Sequence, residues 1–509
     1  MERGLKASIL LATIVCASVS TAKSECTDKT APMQMRLAYA GDRGMTVSWN
    51  TYSKLDHPSV RYGLHPDSLD RKAVSDVSVT YPTSTTYNNH VKINGLKPDT
   101  LYYYQPQCGN SSQIYSMKTA RPVGDSTPFT IAVAGDMGLI GPDGLTTTTG
   151  PNGGTAPLGP GDNNTIQSME SLKSEWDFFW HPGDIAYADY WLKEEAQGFL
   201  PNYTVADGQA LYEKFLNEYF DEMTALTADR PYMVGPGNHD SNCDNGGTTS
   251  NGVAYNISIC PVGQTNFTGF RNHYRMPSQE SSGVENFWYS FNHGMVHFIQ
   301  LNTETDIGGG FVAPDEPGGS EGMNSGPFGS YPNEQLDWLK NDLESVDRSK
   351  TPWVIAAVHR PWYVSAKNTS GSICTICKDV FEPLLVEYGV DLVMQAHTHY
   401  YERNQPLNNY VIDPAGLNNP QSPWYITSAA PGHYDGLDSL VRPLKPYVVY
   451  AQDTAYGWSK ITFHNCSHMT HEFVASRNNT ILDTATLFKD RKCEPGTGGD
   501  DGGDDTCEI

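Results

Sequence analysis

The sequence predicts a two-part fold, an antiparallel β-sandwich followed by an α/β domain, and three observations carry it. From about Met33 to Thr119, short alternating segments recur between Gly, Pro and Asp turns, the pattern of an antiparallel sandwich. After Pro122, apolar β-rich runs alternate with segments of helical period, which implies an α/β architecture. Each of those later runs ends in a polar cluster, and in α/β domains ligands gather at the carboxyl ends of strands. A chain of 509 residues is long enough for two or three domains with cores of their own.

In the first part, Met45–Trp49, Ser59–Tyr62, His90–Ile93 and Thr100–Tyr104 read as strands. The stretch Ile-Asn-Gly-Leu-Lys-Pro-Asp-Thr-Leu-Tyr at 93–102 resembles the corner of a fibronectin type III domain. Residues 30–122 are therefore expected to form a fibronectin type III-like β-sandwich. It holds no cluster of histidines and acids, so packing or spacing is its expected role. The second part spans 127–490, C-terminal strands included. Strands are expected over Phe129–Ala134, Trp176–Trp180, Pro231–Val234, Trp353–Val358 and Asp391–Gln395. Leu211, Phe215, Tyr219 and Met223, four apart, predict a helix over about Gly208–Leu226. Leu336, Leu339 and Leu343 predict another over Asn333–Val346. Two Gly/Pro-rich loops, Gly138–Asn164 and Ile307–Ser330, exceed ordinary connections; they are rims or lids of a site, or else surface insertions. Residues 491–509 read as an acidic, low-complexity, disordered tail.

The polar clusters form a metal-ligand inventory: Asp136, Asp184, Tyr187, Asn238, His359, His397 and His399. Hard oxygen donors mixed with imidazoles suit iron, zinc or manganese. No cysteine joins the set, which argues against a structural zinc knuckle. Seven ligands exceed what one ion needs, and a carboxylate can bridge two, so a two-metal centre is expected. Singly, each piece is ordinary: Gly-Asp is a common turn, and one histidine is often a core residue. Five such clusters, each at an expected strand end, are not. His397-Thr398-His399 is read as alternating on a strand, with both rings on one side.

These motifs, Gly135-Asp136-X-Gly138, Gly183-Asp184-X-X-Tyr187, Gly237-Asn238-His239-Asp240, Ala356-Ala357-Val358-His359 and His397-X-His399, resemble the purple acid phosphatase set. Two replacements, Ala356 for the usual valine and Ala396 for the usual glycine, remove no ligand. Wider metallophosphoesterases have Asp-X-His in the first motif; here Asp136-Met137-Gly138 lacks the histidine and Tyr187 is offered instead. The resemblance implies a metallophosphoesterase domain of two β-sheets sandwiched by helices. It implies Fe(III) on Asp136, Tyr187 and His399, a bridging Asp184, and a divalent partner (Zn, Mn or Fe) on Asn238, His359 and His397. It implies an acid phosphatase that hydrolyses phosphomonoesters, phytate among the possible substrates, through attack of an Fe(III)-bound hydroxide. His239, beside ligand Asn238, is the expected catalytic acid or phosphate hydrogen-bond donor. Plant members have histidines nine and ten residues after the fourth-motif ligand; here Asn368 and Thr369 stand there. His433 and Arg360 are the substrate-binding candidates in their place, with Lys367 a further one for phosphate. The alternatives are a phosphodiesterase or nucleotide pyrophosphatase on the same scaffold, and a non-catalytic adhesion protein. The last predicts lost ligands, and all seven are present.

Charge and processing bound the setting. Lys+Arg 34 against Asp+Glu 58 gives a net charge of −24, which opposes binding to nucleic acid or anionic membranes. Residues 1–22 read as a secretory signal, a basic start and a short apolar run cut near Ala22. The run is too short to span a bilayer comfortably, and no later stretch is long enough. Extracellular localisation and glycosylation follow as expectations. Eight sequons start at Asn110, Asn163, Asn202, Asn256, Asn266, Asn368, Asn465 and Asn478. Ten cysteines fall to nine once Cys16 leaves, so at least one lacks an internal partner. Cys243–Cys260 and Cys374–Cys377 are the expected disulfides.

Overall fold

The computed structural model describes residues 26–110, 113–141, 144, 158–243, 260–308, 326–367, 373–433 and 435–491. The leader, the acidic tail, and most of the two Gly/Pro-rich loops lie outside them, as do Asn256, Asn368 and Thr369.

The front part is a sandwich of two four-stranded antiparallel sheets. One orders Met33–Tyr39, Met45–Thr51, Tyr87–Ile93 and Val77–Val79; the other orders Arg71–Val74, Ser59–Gly63, Leu101–Pro106 and Tyr115–Lys118. The sheets close over Val47, Trp49, Val60, Val91, Tyr102 and Tyr104, all buried. In Leu101–Pro106 the burial alternates, with Tyr102 and Tyr104 inward and Leu101 exposed, as a half-buried strand requires.

The second part contains two larger sheets. A six-stranded sheet orders Tyr232–Gly235, Phe179–Pro182, Phe129–Val133, Gly457–Phe463, His468–Ala475 and Ile481–Phe488. Its first three strands are parallel and its last three antiparallel. A seven-stranded sheet orders Tyr289–His293, Val296–Gln300, Trp353–Ala357, Leu392–Gln395, Trp424–Ser428, Tyr401–Asn404 and Val448–Gln452. Its middle four are parallel, and they are buried along their whole length, which is why they read as continuous apolar runs.

The expected strands are present within a few residues. The largest shift is at Trp176–Trp180: the strand starts at Phe179 and runs to Pro182, because Lys173–Glu175 forms a 3-10 turn and Trp176 is pinned by its indole N–H to Met169 O (3.3 Å). The helices are Gly208–Thr227 and Glu334–Ser345. The latter buries Gln335, Trp338, Leu339 and Leu343, leaving Leu336 half-buried. A helix that the periodicity did not announce, Thr375–Glu387, carries Pro383 in its interior. Disulfides Cys243–Cys260 and Cys374–Cys377 form as expected, and Cys26–Cys108 clips the front sandwich across 82 residues.

The two parts share a buried seam along the Gly208–Thr227 helix, which packs against the Met33–Tyr39 strand on one side and the Ala188–Tyr190 turn on another. Glu213 accepts from Tyr81 (2.9 Å), Thr83 (2.7 Å) and Gln264 (3.1 Å), and the Tyr104 hydroxyl donates to Ala228 O (2.6 Å). Among the described residues no helix is long and apolar enough to cross a membrane.

Candidate metal centre

Every sequence-predicted ligand follows the carboxyl end of a parallel strand. Asp136 comes after Phe129–Val133, Asp184 and Tyr187 after Phe179–Pro182, and Asn238 and His239 after Tyr232–Gly235 on a 3-10 turn. His359 follows Trp353–Ala357, and His397 and His399 follow Leu392–Gln395. The histidine pair is not on a strand, as expected from its alternation, but in a bend beyond the strand end, with His397 at φ +70°. The bend sends the two rings to different halves of the centre.

All seven side chains are buried, and they meet in two groups. In the first, the Tyr187 hydroxyl lies 3.0 Å from Asp136 Oδ1, 3.0 Å from Asp184 Oδ2 and 2.6 Å from His399 Nε2. In the second, His359 Nε2 lies 3.1 Å from Asn238 Oδ1, 3.1 Å from His397 Nδ1 and 3.2 Å from Asp184 Oδ2. Asp184 Oδ2 belongs to both. Asp184, His359 and His397 place their ligand atoms all within 4.8 Å of one another.

The backbone is bent to allow this. Asp136, Asp184, Tyr187 and His397 all have φ between +50° and +70°, a left-handed conformation that costs non-glycine residues of order 1–3 kcal/mol each and that clusters at functional sites. Gly237 is required by close approach, since a Cβ there would stand 2.1 Å from Asp184 Oδ1.

The donor chemistry fits metal ions. His359 Nδ1 faces the Pro182 carbonyl (3.1 Å), which only accepts, so Nδ1 carries the proton and Nε2 turns its lone pair inward. That lone pair faces the acceptor oxygens of Asn238 and Asp184, an arrangement that is unfavourable in a buried site without a cation among them. In the metal-free chain, protons compensate. Burial pulls His359 down, but Asp184 lifts it to about 9. His399, likewise opposed by burial, is pushed up to about 10 by Asp136. Burial, then Asp136 and Asp184, push the Tyr187 phenol well above its ordinary value, so its ionisation requires a strong positive charge at that spot.

A surrounding layer holds these groups in place, and most of it is invisible in sequence patterning. Asp240 accepts from the N–H groups of Gly237 (2.8 Å), Asp184 (3.1 Å) and Ile185 (3.1 Å), stitching two ligand loops together. Asp189 Oδ2 lies 2.6 Å from His239 Nδ1 and sets that ring's orientation. His239 donates its backbone N–H to Asp184 Oδ1 (2.8 Å) and brings Nε2 to 4.0 Å from Asp184 Oδ2. Asp438 accepts from His399 N (2.8 Å), and Asp435 stands 3.6 Å from His399 Nδ1. Asp240 was readable as the last letter of a motif, and Asp189 only as an acid two residues after Tyr187.

Of the substrate-binding candidates, His433 reaches the centre and Arg360 is engaged elsewhere. The His433 ring lies edge-on to Tyr187, 3.6 Å between centroids. Its Nδ1 accepts from Asp435 N (2.9 Å), so Nε2 carries the hydrogen, and burial holds it well below the usual histidine range. Gly138 makes room for it at φ +62°, where a Cβ would stand 2.7 Å from the ring. Arg360 is fully buried, with Nε on both oxygens of Glu304 (3.0 and 2.9 Å); a guanidinium so paired anchors its loop rather than meeting solvent. Lys367 is exposed. Of the sequons described, Asn110, Asn202, Asn266 and Asn478 are exposed and Asn163 and Asn465 half-buried.

Comparison with known proteins matches this arrangement in all three parts of the chain. Residues 32–119 match the family model for the purple acid phosphatase N-terminal domain, 129–401 that for calcineurin-like phosphoesterases, and 422–484 that for the iron/zinc purple acid phosphatase-like C-terminal region. The chain is 37% identical to acid phosphatase A of Cryphonectria parasitica, over 91% of this chain and 92% of that one. It is 30% identical to an acid phosphatase of Aspergillus ficuum, over 88% and 85%. Its fold is similar to that of a purple acid phosphatase from yellow lupin (Lupinus luteus) seeds, with a TM-score of 0.66 and 19% identity over 91% of this chain and 75% of that one. With the ligand groups converging at the ends of the matched strands, the chain belongs to the purple acid phosphatase family of metallophosphoesterase enzymes, a family that implies a dinuclear metal centre.

Proposed function

We propose that this enzyme is a secreted, glycosylated acid phosphatase that hydrolyses phosphomonoesters at an Fe(III)–divalent pair. The observation that carries the reading is the tyrosine: the Tyr187 hydroxyl sits among Asp136, Asp184 and His399, and a phenolate is a hard donor suited to a trivalent ion. Asp136, Tyr187 and His399 would hold Fe(III); Asn238, His359 and His397 would hold zinc, manganese or iron; Asp184 would serve both. When bound, the metals supply an activated water as nucleophile and neutralise charge on the phosphoryl oxygens.

The protein's own groups do the rest. The Asp189 contact at His239 Nδ1 leaves Nε2 as the atom directed at the centre, where it donates to a phosphoryl oxygen or protonates the leaving alcohol. His433, neutral and with a hydrogen on Nε2, adds a second donor on the Tyr187 side. Neither contact recognises the leaving group, which fits a broad choice of monoesters, phytate included. Metal analysis with visible absorption tests the ion assignment: the expected result is iron with a phenolate charge-transfer band. A colourless, fully active protein with two zinc ions would overturn it. Comparing a monoester and a diester of the same phenol tests the substrate class, with faster monoester turnover expected.

A further inference from the structure

The front sandwich and the catalytic domain leave between them a groove of about 810 Å³, flanked by His90 and Lys92 on one side and by Arg271, Arg275 and Glu280 on the other. Two of its cations are matched: Lys92 pairs with Glu280, and Arg271 forks onto both oxygens of Glu285 (2.6 and 2.7 Å). Arg275 is not. Its Nη1 donates to the carbonyls of Arg271 (2.8 Å) and Tyr274 (2.5 Å), and among the described residues it forms no ion pair.

Behind it lies Arg36, only 3% exposed. Its partners are Gln34 O (2.6 Å), Asn50 Oδ1 (2.9 Å), Asn88 Oδ1 (3.3 Å) and His273 O (3.1 Å), all neutral. Burial lowers both guanidinium groups, Arg36 to about 10 with Arg275 adding to the effect, while Glu285 partly offsets the loss at Arg275. His90 and His273 cannot help, since burial and these same arginines hold both well below the usual histidine range. Three cations, Lys92, Arg271 and Arg275, thus face two acids, Glu280 and Glu285, in the groove, with the buried Arg36 near by, in a chain whose net charge is −24. Burying charge without a counterion is costly, and a guanidinium fork is the natural partner of an oxyanion.

We infer that this interdomain groove binds a small tetrahedral oxyanion, of the sulfate or phosphate class, on Arg275, where it tightens the contact between the two domains. The site is separate from the metal centre and uses none of its residues.

Thermal unfolding of the metal-loaded protein, titrated separately with sulfate and with phosphate, tests this in wild type, Arg275→Gln and Arg275→Lys. Oxyanions that reach the metal centre raise all three curves alike, so the signal is the difference between proteins. Wild type should gain several degrees more than Arg275→Gln, with Arg275→Lys between, while kcat stays within about twofold in all three. A difference seen with phosphate alone would make the reaction product the ligand; a difference with both would make any such oxyanion suffice. Should Arg275→Gln fail to fold, selenate-soaked wild-type crystals measured at the selenium edge decide. An anomalous peak beside Arg275 supports the site, and a peak at the metal centre alone overturns it. Identical gains in all folded proteins overturn it as well.

Discussion

Two buried polar clusters lie on either side of the Gly208–Thr227 helix, and they differ in one respect. At the domain seam, Glu213 is an acceptor among three donors: the Tyr81 and Thr83 hydroxyls and the Gln264 amide. The carboxylate is met by three donors there, so its charge is answered without an ion. At the strand ends, His359 Nε2 faces the acceptor oxygens of Asn238 and Asp184, four of the seven proposed ligands hold a left-handed backbone, and the arrangement suits cations. The first kind of cluster holds a structure together. The second is held by the structure for something else.

Asp184→Asn should separate the two most sharply. It removes the charge shared by both ligand groups, so both metals should be lost and kcat/KM should fall roughly 10³-fold or more, while the domain seam stays intact. Metal content and turnover check this. Retention of both ions would show that the two groups do not depend on a common carboxylate.

Glu213→Ala is the mirror experiment. It takes the shared acceptor from three buried donors, of which Gln264 keeps Gln209 O, and should lower stability by about 2–4 kcal/mol, read from denaturant unfolding, with metal content and colour unchanged. Loss of metal in the folded variant would show that the seam is part of the centre's support. His239→Asn should lower kcat by about 10² without changing the metals. Asp189→Asn should cost about tenfold through a loosened His239 ring. If Asp189→Asn costs as much as removing the imidazole, the carboxylate acts directly.

The convergence of the proposed ligands was largely legible in the sequence because they are tied to strand ends: a β-rich run followed by Gly-Asp or Gly-Asn-His is a local signal, and five of them in order make a candidate site. What escaped was whatever depends on pairs distant in the chain. Asp189 acts on a histidine 50 residues away, and nothing in its own neighbourhood announces this. Cys26–Cys108 joins residues 82 apart, and spacing alone favours no pairing. The histidine pair shows a third limit, since alternation spoke for a strand while φ +70° at His397 ends it. The seam escaped for a further reason. Glu213 and Arg36 sit in an amphipathic helix and a sandwich strand where periodicity reads them only as polar positions, so the front domain looked like a spacer.

The smallest expected effect probes the seam's single carboxyl through pH. Burial raises Glu213 above the ordinary glutamate value, and its three hydrogen bonds only partly offset this. Between its unfolded and folded pKa the folded chain therefore binds more protons than the unfolded chain, and stability must fall as pH rises through that window. The contribution is fully present below the unfolded value, about 4.3, which suits an enzyme working in acid. Glu213→Gln keeps the shape of the side chain and removes the proton. Relative to that variant, wild type should lose melting temperature progressively from about pH 4.5 upward, measured in the metal-loaded proteins so that both centres contribute equally. Parallel curves would mean that Glu213 ionises as freely inside the seam as in water, and the seam would then have no claim to be the self-sufficient member of the pair.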